Sequence, residues 1–209
     1  MTICLRWPEA LGILTHGAAK SRNLSKTQMK QLIKLWFIRR YLRQPNLTYA
    51  SVPIFDARPW PRFKTHGSLS LGADCLFRTQ GYRSYLEVRQ GGSMEIGKKC
   101  YFNSGVDICA TLRITIGDHT GLSNGVTVFD THFHPVEPGD EVLRAPVTIG
   151  RNVWIGRHSL VMPGSVIGDH SVIGAHSVVN GIIPPKVVAM GYPARPIKMI
   201  KCPDDWIRP

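Results

Sequence analysis

From residue 149 onward the chain places one aliphatic side chain at every sixth position: Ile149, Ile155, Val161, Ile167, Ile173 and Val179. Gly follows four of these six, at Gly150, Gly156, Gly168 and Gly174. Val153, Ser159, Ser165, Ser171 and Ser177 stand four positions after successive aliphatics, and all are small enough to pack beside them. The same phase recurs earlier, in Ile96, Phe102 and Ile108 and again in Ile116, Leu122 and Val128. A period of six is neither the 3.6 of a helix nor the 2 of an alternating strand. It fits a coil of three short flat strands, each sending one aliphatic inward and turning at a small residue. Stacked coils bury a continuous aliphatic column, and each coil depends on its neighbours. The pattern therefore predicts a mainly β fold, a parallel β-helix; six successive hits argue against a β-sandwich with accidental spacing.

One interruption of the phase is large. Ile116 and Ile149 are 33 positions apart, where one coil needs about 18. The surplus falls in FDTHFHPVEPGDEVLRAP, a polar, Pro-rich stretch that predicts a loop extruded near residues 129–146. A rigid solenoid tolerates bulk only outside itself, so such an insertion is where function concentrates. It contains His132 and His134. A second exception precedes the repeat. SKTQMKQLIKLWFIRRYLRQP reads as one helix near residues 25–44, with Ser25 and Gln28 as a capping box and Pro45 as a stop. Met29, Leu32, Ile33, Trp36 and Phe37 form its apolar face, with Lys26, Lys30, Lys34, Arg40 and Arg43 largely elsewhere. That face has two uses: capping the open end of the β-helix, which is the favoured reading, or lying on an anionic membrane through residues 20–44. The implied organisation is a basic segment over 1–64, a β-helix over 65–200 and a tail over 201–209.

The run VTIGRNVWIGRHSLVMPGSVIGDHSVIGAHSVV, followed by IPPKVVAMGYPARPIK, resembles the hexapeptide-repeat acyltransferases, most nearly the maltose, galactoside and exopolysaccharide O-acetyltransferases. The resemblance spans roughly residues 70–200. It implies a left-handed parallel β-helix, a homotrimer with active sites between subunits, acetyl-CoA or another acyl-CoA as co-substrate, no metal, and a sugar, glycan or glycolipid acceptor. A sugar hydroxyl needs a base with a pKa near 7, which a neutral imidazole supplies. The family places its catalytic histidine in this loop directly before Pro, which here is His134. Where relatives read DTDxHP this chain reads DTHFHP, so His132 replaces an acid and faces either the acceptor or solvent. Asp130 either orients His134 or caps the turn. IGKKCYFN matches a segment whose last residue, Asn103, would bind the acceptor hydroxyl; a turn-forming Asn is its plainer role. The donor groove is expected along Trp154, Gly156, Arg157 and Ala175, with a backbone N–H near Gly156–Arg157 for the oxyanion and Arg195 and Lys198 for the CoA phosphates. Two positions depart from the family: Arg157 stands where Ser is frequent, and Asn180–Gly181 where a Thr-Lys pair is.

Charge sharpens this organisation. The chain of 209 residues carries a formal charge of +12. Residues 1–64 hold twelve Lys/Arg against Glu9 and Asp56, so nearly all the excess lies there. It points to an acidic surface such as a membrane or charged polymer; nucleic acid is not expected as a partner. Five cysteines without CxxC spacing read as thiols of a reducing compartment. Pro8 and Glu9 break the first apolar stretch, against a secretory leader. The expected location is cytoplasmic, with peripheral membrane contact as an added option. Two other readings compete: a γ-carbonic-anhydrase-like zinc hydratase and a non-catalytic β-helix. His158, His170 and His176 lack the hydratase ligand spacing and read as surface residues.

Overall fold

The computed structural model describes residues 25–209. Residues 1–24, including Cys4 and the stretch weighed against a leader, lie outside the described residues. The chain divides into two units, 1–38 and 39–209.

The helix runs Lys26–Tyr41. Its capping box forms reciprocally: Gln28 N–H donates to Ser25 Oγ at 3.2 Å and Ser25 N–H to Gln28 Oε1 at 2.9 Å. Met29, Leu32, Ile33, Trp36 and Phe37 are all exposed, by 44–59%. Charge and apolarity are less segregated than expected. At about 100° per residue, Lys26 and Arg40 fall inside the apolar arc, and Leu35 and Ile38 fall opposite it.

Residues 47–199 form three parallel sheets, A, B and C, visited in strict rotation, with one antiparallel strand added at the end. The coil over Val147–Ile149, Trp154–Ile155 and Leu160–Val161 sets the pattern, and Val166–Ile167 begins the next. Strands stack in register, so each interior position is a ladder: Ile96, Ile116, Ile149, Ile167 and Ile183 in sheet A; Phe55, Phe77, Phe102, Leu122, Ile155 and Ile173 in sheet B; Ile108, Val128, Val161 and Val179 in sheet C. Every residue of the six-residue phase is at most 4% exposed. Such burial contributes about 1.5–3 kcal/mol per large aliphatic, and it is this column that holds the coils together.

The β-helix begins one coil earlier than the expected boundary. Leu47–Tyr49, Ile54–Phe55 and Arg62–Thr65 make its first coil, so a boundary at 64/65 is corrected to about 47. Two features hide this coil in the sequence. Aromatic residues replace aliphatics in its ladder, with Phe77 and Phe102 stacked at 4.6 Å and Phe55, Phe63, Trp60 and Tyr41 clustered before them. The corners are also longer: Tyr49 pairs with Leu71 and Leu71 with Ile96, coils of 22 and 25 residues, where Ile149 to Ile167 takes 18. At the other end the tail is anchored. Asn152 Nδ2 donates to Trp206 O at 2.9 Å, Arg208 N–H donates to Asn152 Oδ1 at 2.9 Å, and Arg151 holds Asp204 O. His170 beneath it is 2% exposed and its Nδ1 accepts from Asn152 Nδ2, which corrects its reading as a surface residue; His158 and His176 are exposed as expected.

Candidate active site

The phase break becomes the extruded loop. Ile116 pairs directly with Ile149 across the insertion, so the chain leaves the solenoid after Thr127–Phe129 and returns at Val147–Ile149 with no loss of register. The loop is pinched at its base by the bridge Thr131–Arg144 and by two backbone bonds: Ala145 N–H to Asp130 O at 3.0 Å and His132 N–H to Leu143 O at 3.0 Å. Beyond this neck every residue from 133 to 141 is exposed.

His134 stands on that exposed arc. Its Nδ1 lies 3.1 Å from Pro135 O. A carbonyl only accepts, so Nδ1 carries the hydrogen and the neutral ring keeps its lone pair on Nε2. That is the tautomer a base needs. The backbone just before it is kinked: Phe133 has φ +64°, a left-handed conformation that costs a bulky residue about 1–3 kcal/mol. Three contacts hold the kink. Phe133 N–H donates to Thr131 Oγ1 at 3.1 Å, its ring meets Phe129 edge-on at 5.0 Å, and the Arg89 guanidinium lies 5.0 Å above it. His132 is half-buried at the neck.

Asp130 takes the turn-capping role. It is wholly buried, and its carboxylate accepts from Thr111 N–H at 2.8 Å, Thr111 Oγ1 at 2.9 Å and Leu112 N–H at 2.7 Å. Both oxygens are committed to the next corner, and the ring nitrogen it was expected to orient is met by Pro135 instead. Asn103 lies at the opposite edge of sheet C. It ends the sheet B strand Tyr101–Phe102, and the sheet C strand Asp107–Ala110 separates it from the Thr111 corner. Four extended residues span roughly 13 Å. Asn103 Oδ1 accepts from Ser104 N–H at 3.0 Å. Within one chain the width of sheet C thus separates Asn103 from the corner where the His134 loop leaves.

Sheet C between these edges presents Tyr85, Glu87, Asp107, Cys109, Thr127 and Phe129 outward. Burial, then the charge of Glu87, raises the Asp107 carboxyl above its ordinary range. The same two causes push the Cys109 thiol up to about 11, which leaves it protonated and a poor nucleophile at neutral pH.

The donor residues divide. Arg157 and Ala175 stack on consecutive coils at the corner between sheets B and C, joined by His176 N–H to Arg157 O at 2.8 Å, and both are exposed. Gly156 beneath them has no room for a side chain: a Cβ there would lie 2.5 Å from Ala175 N. Its N–H donates to Ile173 O at 2.8 Å within the ladder and is already committed there. Trp154 sits on the outer face of sheet B, stacked at 6.4 Å from Tyr101 over Gly121, where a Cβ would meet the indole at 2.7 Å. It fills a surface gap and does not line the corner. Arg195 pairs with Met190, whose Cβ crowds Gly174, so it adjoins the corner; Lys198 lies further along the same strand opposite Val188. Arg89, Phe129 and Phe133 carried no signal in the sequence, because their contacts arise across coils.

Residues 146–181 match the family described as bacterial transferase hexapeptide (six repeats). The chain is 39% identical over 132 residues to galactoside O-acetyltransferase of Escherichia coli (strain K12), covering 60% of this chain and 65% of that protein. It is 36% identical over 144 residues to nodulation protein L of Rhizobium meliloti (strain 1021), covering 67% of this chain and 75% of that one. The chain thus spans just under two thirds of the galactoside enzyme. Among solved structures, the N-acyltransferase AntD from Bacillus cereus, in complex with dTDP and 3-hydroxybutyryl-CoA, superposes with a TM-score of 0.61 at 20% identity over 83% of this chain and 88% of that one. A hexapeptide-repeat acetyltransferase from Vibrio cholerae gives 0.52 at 22%, over 81% of both. At these identities the two structures speak for the fold alone, and the two sequence relatives for descent. The chain belongs to the hexapeptide-repeat acyltransferases.

Proposed function

We propose that this chain is an acyl-CoA-dependent O-acetyltransferase that moves an acetyl group to a hydroxyl of a sugar, glycan or glycolipid. The observation that carries the reading is His134 on its pinched loop, with Nδ1–H held by Pro135 O and Nε2 free to take a proton. The acceptor oxygen attacks the thioester carbonyl as its proton passes to Nε2. The tetrahedral oxyanion is met by the Arg157 N–H, and its collapse expels the CoA thiolate, which takes the proton back from the imidazolium. Ala175 leaves room for the pantetheine arm, and Arg195 and Lys198 meet the CoA phosphates. Similarity to a galactoside O-acetyltransferase favours this reading over a zinc hydratase or an inert β-helix.

His134→Ala should lower turnover of acetyl-CoA with a galactoside acceptor about a hundred- to ten-thousandfold, with acetyl-CoA still bound. Activity within a few-fold of the parent would remove His134 from its role. The working form is a homotrimer, a reading supported by the separation of Asn103 from the His134 loop within one chain. The acceptor is placed at a membrane surface, with a cytoplasmic, peripheral enzyme. Supporting this are the exposed Met29, Leu32, Ile33, Trp36 and Phe37 on a helix bearing Lys26, Lys30, Lys34, Arg39 and Arg40. Among the described residues no helix is long and apolar enough to cross a membrane. Co-sedimentation with anionic vesicles should occur and weaken from low to high salt, as screening shortens to about 8 Å at physiological ionic strength. No vesicle binding at any salt would refute the membrane reading.

A further inference from the structure

We infer that Arg89 and Phe133 are positioning residues for His134, a clamp that transmits the rigidity of sheet C to the tip of an otherwise exposed loop. The inference rests on the reading of His134 as the base. Phe133 occupies the left-handed region at φ +64°, immediately before His134. A bulky residue keeps such a conformation only where its surroundings over-determine it, and strained backbone gathers where geometry matters for function. Here the surroundings are specific. Phe129, on the last sheet C strand before the loop, takes the edge of the Phe133 ring at 5.0 Å and 81°. The Arg89 guanidinium lies over the same ring at 5.0 Å.

Arg89 is itself tied to the solenoid. It follows directly on the strand Tyr85–Val88, and its N–H donates to Ala110 O at 2.8 Å. Its Nε lies 3.8 Å from Glu87 Oε1, and Lys64 on the next strand reaches the same oxygen at 3.6 Å. A chain of contacts therefore runs Lys64, Glu87, Arg89, Phe133, and ends one residue from the base. Arg89 also lines an open groove of about 570 Å³ with His66, Glu87 and Gln90 beside the loop.

An exposed ring-and-cation stack contributes little to global stability, so a clamp and a surface ornament differ in what they change. In the full chain, with CoA thiol release from acetyl-CoA plus a galactoside as the assay, Arg89→Ala and Phe133→Ala should each lower kcat about tenfold or more, consistent with misplacement of a catalytic group. KM for acetyl-CoA and the melting temperature should stay near the parent's. Phe133→Gly relieves the left-handed strain but removes the ring, and it should be as slow as Phe133→Ala. Arg89→Lys should recover part of kcat. In a His134→Ala background, Arg89→Ala should change nothing more. Parental kcat in Arg89→Ala and Phe133→Ala, beside an inactive His134→Ala, overturns the clamp while leaving the base intact. An active His134→Ala overturns the base reading instead. A rise in acceptor KM alone for Arg89→Ala would make it a binding residue and also overturn the clamp.

Discussion

Three carboxylates near the loop show how context separates identical chemistry. Asp130 is buried yet satisfied, accepting three hydrogen bonds from the Thr111–Leu112 corner. Glu87 is partly exposed and lies within ion-pair distance of Lys64 and Arg89. Asp107 is half-buried with Glu87 nearby, and its pKa is raised first by burial and then by that charge. A carboxyl raised in the folded state favours folding fully only below its unfolded pKa, and loses that contribution as pH rises through the folded value. Ionised Asp107 therefore weakens the fold at neutral pH. Asp107→Asn should raise the melting temperature at pH 7, with the gain shrinking to nothing below about pH 4, where both states are protonated. A gain independent of pH would mean that packing, and not ionisation, explains it.

At the scale of elements, the solenoid keeps its register without help from the loop. The neck closes before the loop begins, because Ala145 N–H already meets Asp130 O and Thr131 already pairs with Arg144. The coil on either side keeps the pairing Ile116–Ile149. Replacing residues 133–142 with a short Gly-Asn turn should therefore leave the melting temperature within a few degrees of the parent and preserve acetyl-CoA binding, while abolishing transfer. A collapse of stability comparable to that of a core substitution would show instead that the loop is part of the scaffold. For comparison, Ile155→Ala, at a fully buried ladder position, should cost about 2–5 kcal/mol.

At the scale of the whole molecule, the separation of Asn103 from His134 has a direct test. If active sites form between subunits of a trimer, an inactive His134→Ala chain still supplies Asn103, and an Asn103→Ala chain still supplies His134. Co-expressed and co-purified, the two variants should form mixed trimers with activity well above either alone. If each chain houses its own site, no site in the mixture is complete, and activity should not exceed the sum of the two. A light-scattering mass of one chain in a fully active preparation would count against the trimer by a separate route.

The β-helix from residue 96 onward was legible because its interior is a one-dimensional ladder: a coil of constant length must repeat its buried side chain at a constant interval, and Ile149 to Val179 do so. The loop was legible as the large interruption of that interval. The coil at 47–65 was not, since longer corners and Phe55, Phe63 and Phe77 obscure a period that depends on equal lengths and aliphatic fillers. His134 could be singled out from the sequence because the residue type and the adjoining Pro135 are local facts. What surrounds it could not. The commitment of Asp130 to Thr111, the loss of Gly156 N–H to the ladder and the stacking of Arg89 on Phe133 are contacts between coils about twenty or more residues apart. Sequence spacing specifies which residues share a face. Which neighbour takes each hydrogen bond is decided only when the coils stack, because every donor and acceptor in a buried ladder must be satisfied there.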